Sequence, residues 1–262
     1  MESLQNIHFE KSNGYGFITL SRSEVHNAID PLMIAELSAL FREIEVDDSI
    51  RAVVIRGKGK SFSSGADLNY MRSMSDFTKR ENLEDAGRLA SLFDTIYNCP
   101  LPIISVAHGN VSGGANGIIA ASDIAICDDN TTFRFSELNL GLIPAIIAPY
   151  IIRRIGESLA AELMFTSRCF SGTEAFSYGL VNKSVKGDKL ESALQSLLDE
   201  MRSSGPVALR KTKLLIRSVS GKEIDSETRR FTSRVIADVR ISPEAQEGMK
   251  AFLEKRKPGW TK

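Results

Sequence analysis

Histidine, cysteine and tryptophan are scarce in this chain: three, three and one among 262 residues. Cys99, Cys127 and Cys169 lie far apart, form no CxxC pair and have no histidine at ligand spacing. That excludes a zinc module or a disulfide framework, and leaves buried thiols in a reducing, cytoplasmic setting as the expectation. No metal is expected. Net charge is also absent, since 33 Lys and Arg balance 33 Asp and Glu. No basic field therefore favours nucleic acid or an anionic membrane, and any anionic ligand must be held by local groups. No apolar run reaches the roughly 18 residues of a membrane span. The polar start Met1–Gly14 lacks the apolar core of a signal peptide, so a soluble protein is expected. Internal repeats and low-complexity tracts are missing too.

What is present is ordinary globular material, 42% hydrophobic and 25% charged, enough for a sizeable core. Ile7–Glu10 and Gly16–Leu20 alternate around Ser12-Asn13-Gly14 and read as a β-hairpin. Asp30 as N-cap and Pro31 in the first turn open a helix to about Glu45, with Leu32, Ile34, Leu37, Leu40 and Phe41 apolar. A buried strand Ala52–Arg56, a polar helix around Glu81–Tyr97, a strand Pro102–Ala107, a small-residue helix Gly113–Ala121 and a strand Asp123–Ile126 follow. This alternation argues for parallel β/α packing. Beyond Ser171 the pattern is helical: Gly172–Tyr178, Asp188–Ser203, Pro206–Ser218, Glu223–Val239 and Pro243–Lys255. The polar, weakly periodic segment Met71–Arg80 reads as a mobile loop over a site.

Three segments carry chemistry. Phe62-Ser63-Ser64-Gly65-Ala66-Asp67-Leu68 follows a strand, and its small residues leave backbone N–H groups free for a ligand. Gly113-Gly114-Ala115-Asn116-Gly117 follows another strand and opens a helix, where unpaired N–H groups attract negative charge. Such a start also serves as a plain tight turn. Two loops of this kind from neighbouring strands, however, can converge on one oxygen. Glu137, in Phe133-Arg134-Phe135-Ser136-Glu137-Leu138, is a carboxyl among apolar residues, surroundings that raise its pKa and suit it to proton transfer. The decoy Arg56-Gly57-Lys58-Gly59-Lys60-Ser61 lacks the first glycine of a phosphate-binding loop, where Val54 stands.

Taken in order, Phe62–Leu68, Gly109–Gly114, Asp123-Ile124 and Phe135–Pro144 resemble the crotonase (enoyl-CoA hydratase/isomerase) superfamily at its spacing. Phe170–Ala175, Gly179-Leu180-Val181 and Glu247–Arg256 agree, so the resemblance spans nearly the whole chain. It implies an α/β fold, a spiral of β-β-α repeats over residues 1–200, with a C-terminal helical trimerisation module over 201–262. It also implies homotrimers or homohexamers, and an acyl-CoA thioester as substrate with no separate cofactor. The amides of Ala66 and Gly114 match the family's oxyanion hole, and Glu137 its acid/base. Ala28, Ser64, Asp67, Leu68, Met71, Gly117 and Pro144 match substrate-lining positions, and Phe252 and Lys255 match C-terminal residues near the coenzyme's phosphate end. Glu24 stands where the family usually has lysine, leaving Arg22, Lys58 and Lys255 as phosphate candidates.

The departures bear on the reaction. Hydratases of this family generally use a second glutamate three residues after the oxyanion glycine; here that position is Gly117. Glycine neither orients water nor transfers a proton. Double-bond isomerases often keep only the Glu137-type residue. Leu140–Tyr150, on the other hand, resembles bacterial enoyl-CoA or methylglutaconyl-CoA hydratases that also carry glycine there. Ala145, where dienoyl-CoA isomerases and chlorobenzoyl-CoA dehalogenases have aspartate, argues against those chemistries. The expectation is hydration or dehydration of a short or branched enoyl-CoA, 3-methylglutaconyl-CoA being a candidate. A Δ3,Δ2-enoyl-CoA isomerase and a non-catalytic acyl-CoA-binding scaffold are the alternatives. An enlarged apolar pocket at Gly117 would favour a bulky or branched acyl group.

Overall fold

A computed structural model describes residues 4–261. The first strands, β1 (Ile7–Ser12) and β2 (Tyr15–Leu20), pair antiparallel through the two-residue Asn13-Gly14 turn. α1 (Pro31–Ile44) begins as its sequence predicts: a carboxylate oxygen of Asp30 accepts the Met33 amide at 2.8 Å, and Pro31 fills the first turn. Its apolar face, including Ile34, Leu37 and Phe41, is buried, and it delivers the chain to β3 (Ala52–Gly57).

The segment expected to be a mobile loop is helical instead. α2 (Leu68–Ser73) is capped by Asp67, whose side chain accepts the Asn69 and Tyr70 amides. A short 3-10 turn, Met74–Asp76, follows. α3 (Lys79–Asn98) then opens with a capping box between Thr78 and Glu81. Side-chain caps therefore supply what periodicity did not reveal.

Next come β4 (Ile103–Ala107), β5 (Asn110–Ser112) and α4 (Ala115–Ala121), then β6 (Ile124–Asp128), β7 (Thr132–Arg134) and α5 (Ala148–Ile155). This is a β-β-α unit written twice. In each unit the first strand joins one sheet and the second strand another. The larger sheet runs β1-β2-β3-β4-β6-β9, with β9 at Lys183–Val185, and all its pairs after the first are parallel. The smaller runs β5-β7-β8, with β8 at Phe170–Ser171. The stacked rings of Phe133 and Phe170, 5.5 Å between centroids, pack beneath it. α6 (Glu157–Thr166) and α7 (Gly172–Ser177) follow α5 and β8.

By its internal contacts the chain divides into two compact units: residues up to Cys99 with Ile103–Leu194, and Pro100–Pro102 with the residues from Gln195 onward. α8 (Leu190–Arg202) carries the chain into the second, which contains α9 (Pro206–Val219), α10 (Ser226–Arg240) and α11 (Pro243–Leu253). There, buried Lys213 donates to the Leu101 carbonyl at 2.9 Å, so its ammonium is hydrogen-bonded rather than orphaned.

Candidate active site

Two backbone loops meet because glycine lets them. Gly65 has φ +87°, and a Cβ there would lie 2.6 Å from the Ser112 carbonyl oxygen and 3.6 Å from the Gly113 Cα. Only glycine allows both that conformation and that approach. Gly113 also has positive φ, and a Cβ on it would come 3.4 Å from Glu137 Oε1. Gly65, Gly113 and Glu137 are therefore stacked in sequence-distant contact. The residues after the two glycines, Ala66 and Gly114, face a common cavity with Glu137. Ile29 uses the Gly65 carbonyl and Asp67 uses the Ile29 carbonyl, which passes over the Ala66 amide. Among the described residues, neither the Ala66 nor the Gly114 N–H donates a hydrogen bond.

The cavity has a volume of about 180 Å³ and mostly apolar walls, including Ile34, Leu89, Pro144 and Ile147. Glu137 starts a 3-10 turn, Glu137–Leu140, closed by the Leu142 amide donating to the Glu137 carbonyl at 3.0 Å. Its Oε2 is buried with no hydrogen-bond partner among the described residues. Burial pushes the carboxyl above its ordinary value and outweighs the opposing backbone hydrogen bonds at Glu137 and Ser136. Such a carboxyl can hold a proton and give it up to a bound molecule.

The Gly117 corner holds no enlarged pocket. A Cβ on Gly117 would meet the Phe93 ring at 2.6 Å and Ile147 Cγ2 at 2.7 Å, and Phe93 is fully buried. Gly117 thus packs under hydrocarbon and is not on the cavity wall. Asn116 does not fill in for a lost carboxylate either, because its amide group donates to the Gly113 and Arg134 carbonyls.

Of the sequence-predicted residues, Ala66, Gly114, Glu137 and Pro144 come together around this cavity; Ala28, Ser64, Asp67, Leu68 and Met71 do not line it. Ala28 is buried and its carbonyl accepts Arg22 Nη1 at 2.7 Å. Ser64 donates its amide to the His26 carbonyl at 2.9 Å. Asp67 is buried as the α2 cap. Burial pushes its carboxyl up, but the Tyr70 amide, the Arg22 guanidinium and the Asn69 amide outweigh that and hold it below its ordinary value. Leu68 is 72% exposed; Met71 is half-buried one turn later. Arg22 is not a free phosphate ligand: it pairs with Asp30 at 3.3 Å and Asp67 at 3.0 Å, committing its charge to the fold. Lys58 is exposed, as are Phe252 and Lys255 in the second unit.

Sequence reasoning offers Tyr70 and Asn116 as polar groups that could stand in for a side chain at 117, but it missed Asp85. Tyr70 and Asp85 line the cavity, and with Glu137 they contribute its only polar side chains among the described residues. The Tyr70 hydroxyl donates to Asp85 Oδ1, which also accepts from Arg88 at 2.8 Å. The available signal was the spacing Asp85, Leu89, Phe93, Ile96 on α3, one stripe that turns a carboxylate and three apolar residues to the same side.

The model of the enoyl-CoA hydratase/isomerase family matches residues 10–262. The short-chain-enoyl-CoA hydratase of Clostridium acetobutylicum is 30% identical over 257 residues, covering 97% of each chain. Among solved structures, an enoyl-CoA hydratase from Shewanella pealeana superposes with TM-score 0.95 at 36% identity, covering 99% of this chain and 97% of that one. An enoyl-CoA hydratase/isomerase from Marinobacter aquaeolei gives TM-score 0.93 at 31% identity, covering 98% and 99%. Sequence motifs, doubled β-β-α units and these likenesses converge: the chain belongs to the enoyl-CoA hydratase/isomerase (crotonase) family, which acts on acyl-CoA thioesters.

Proposed function

We propose that this enzyme adds water to, or removes it from, the 2,3 double bond of a short or branched enoyl-CoA, 3-methylglutaconyl-CoA being one candidate. The observation that carries the reading is a desolvated, half-unpaired Glu137 sharing a small cavity with two undonated amides. The thioester carbonyl oxygen accepts from the Ala66 and Gly114 N–H groups, which stabilise it as it gains enolate charge. A single such donor is worth about 3–4 kcal/mol of barrier. Glu137 carries the proton to or from C2. About 180 Å³ is below the roughly 300–1,000 Å³ of pockets that enclose a whole drug-sized ligand, so the cavity suits an acyl end and not the coenzyme.

A second reading is favoured by the closed Gly117 corner: a Δ3,Δ2-enoyl-CoA isomerase in which Glu137 alone moves a proton between C2 and C4. Crotonyl-CoA, 3-methylglutaconyl-CoA and a 3-enoyl-CoA, each followed for water addition and double-bond migration, separate the two. Glu137→Gln is expected to lower turnover by about 10²–10⁴-fold while thioester binding persists. If no thioester turns over, the protein is a non-catalytic acyl-CoA-binding scaffold. Trimeric or hexameric assembly belongs to the same reading, supported by exposed Ile241, Phe252 and Leu253 in the second unit, and sedimentation tests it.

A further inference from the structure

Adding water requires a group that holds the water as well as one that moves the proton. The usual place for a second carboxylate is closed here, because Phe93 and Ile147 occupy the volume a side chain at 117 would need. Yet the helix that closes it also supplies something else. Phe93 and Asp85 lie eight residues apart on α3, two turns of one face, with Leu89 between them. Leu89 and Asp85 reach the cavity, and Asp85 receives the Tyr70 hydroxyl from α2.

The hydrogen-bonding sense of this pair is fixed. Asp85 Oδ1 takes the Tyr70 hydrogen and one from Arg88, and the Arg88 guanidinium also hydrogen-bonds the Tyr70 hydroxyl, so one phenol lone pair is left to accept from a bound donor. Burial first, and then the Asp85 carboxylate, push the Tyr70 phenol above its ordinary value, so it stays a neutral hydroxyl at physiological pH. Water and the 3-hydroxyl of a hydrated acyl chain are donors; an alkene or an alkyl chain is not. Glu137 and the Asp85 carboxylate are the other acceptors for such a donor among the cavity's described side chains.

Resting on the hydratase reading of this site, we propose that Tyr70, held in place by Asp85, binds the water that adds to the acyl double bond, in place of a carboxylate at position 117. Tyr70 touches the reacting water and is a catalytic residue; Asp85 acts through it and is a positioning residue. In the addition, one O–H bond of water breaks as its oxygen bonds C3, and the released proton passes to Glu137. Glu137 delivers a proton to C2, the other water hydrogen stays on the new hydroxyl, and nothing is oxidised or reduced.

The test uses the full chain as wild type, Tyr70→Phe, Asp85→Asn and Glu137→Gln, with two readouts. One is hydration of crotonyl-CoA and 3-methylglutaconyl-CoA. The other is exchange of the C2 protons of butyryl-CoA with heavy water, which needs the amides and Glu137 but no added water. Tyr70→Phe is expected to lower the kcat of hydration by about 100-fold, leaving KM and C2 exchange within a few-fold of wild type. Asp85→Asn is expected to lower hydration by about tenfold with the same selectivity. Full hydration by Tyr70→Phe overturns the proposal, and so does a parallel loss of hydration and exchange, which marks a merely structural role. Glu137→Gln tells the two readings apart: it should lose both readouts, and if it keeps both, the assignment of Glu137 fails whatever Tyr70 does. A wild type that hydrates neither thioester removes the hydratase reading and this one with it.

Discussion

The corner at Glu137 and the corner at Gly117 are both reached through the turn at Gly113, yet they are built on opposite principles. At Glu137 a carboxyl is held partly desolvated with one oxygen unpaired, a costly arrangement that a purely structural residue would relieve. At Gly117 the ring of Phe93 and a methyl of Ile147 are packed against bare backbone, as tightly as any core. A site that lacks a functional group does not leave a void where that group would stand. Hydrocarbon closes over it, because an empty space forfeits the contacts of every atom lining it. On the hydratase reading the second group then comes from another wall, and α3, which closes the one corner, presents Asp85 at the other.

Substitutions at these corners test how sharp the contrast is. Phe93→Ala removes the plug, and about 3–5 kcal/mol of stability should go with it, read as a lower denaturant midpoint. A loss below about 1 kcal/mol would mean that the corner is loosely filled and the contrast unfounded. Gly117→Ala should cost less. Overpacking against Phe93 and Ile147 takes about 1–3 kcal/mol, while replacing a helical glycine returns about 1 kcal/mol, leaving a net loss of about 1 kcal/mol. Combined with Phe93→Ala that loss should shrink, since the added methyl then meets Ile147 alone.

The smallest effect belongs to the other corner and is a pH dependence. Because burial raises the Glu137 pKa above its ordinary 4.5, the folded chain binds more protons than the unfolded one as pH rises from that value. The stability it contributes is complete below the unfolded pKa and is lost as pH rises through the folded one. Glu137→Gln should abolish that part of the slope. Denaturant midpoints of both proteins across the acidic-to-neutral range measure it, and parallel curves would show that Glu137 carries no burial cost.

Much of the fold could be read from local signals. The Asn13-Gly14 hairpin, the Asp30-Pro31 helix start, the strands β3, β4 and β6, and the C-terminal helices all follow from turn chemistry, caps or periodicity. Met71–Arg80 reads as a loop because its serines and charges hide the period; one carboxylate, Asp67, caps the helix α2 that runs into it by accepting two amides. α5, α6 and the three-stranded sheet had no such signal, since strands of two or three residues are too short to show alternation. At the site, Glu137 and the two glycine-rich loops were visible as motifs. Arg22 looked like a free cation because nothing in its neighbourhood of sequence announces Asp67, 45 residues on, as a partner.

By itself the sequence determined which groups exist: the loops with Ala66 and Gly114, the carboxyl of Glu137 in an apolar run, and the absence of a side chain at 117. Those are local properties, written in residue type and spacing. Only the tertiary structure decided what surrounds the absence. Whether Gly117 borders a pocket or a packed ring depends on where α3 lies against α4. Whether Asp85 is a surface charge or part of the cavity depends on the same contact, together with the approach of Tyr70 from α2. Helix-to-helix placement is set by the summed packing of many residues, so no motif records it.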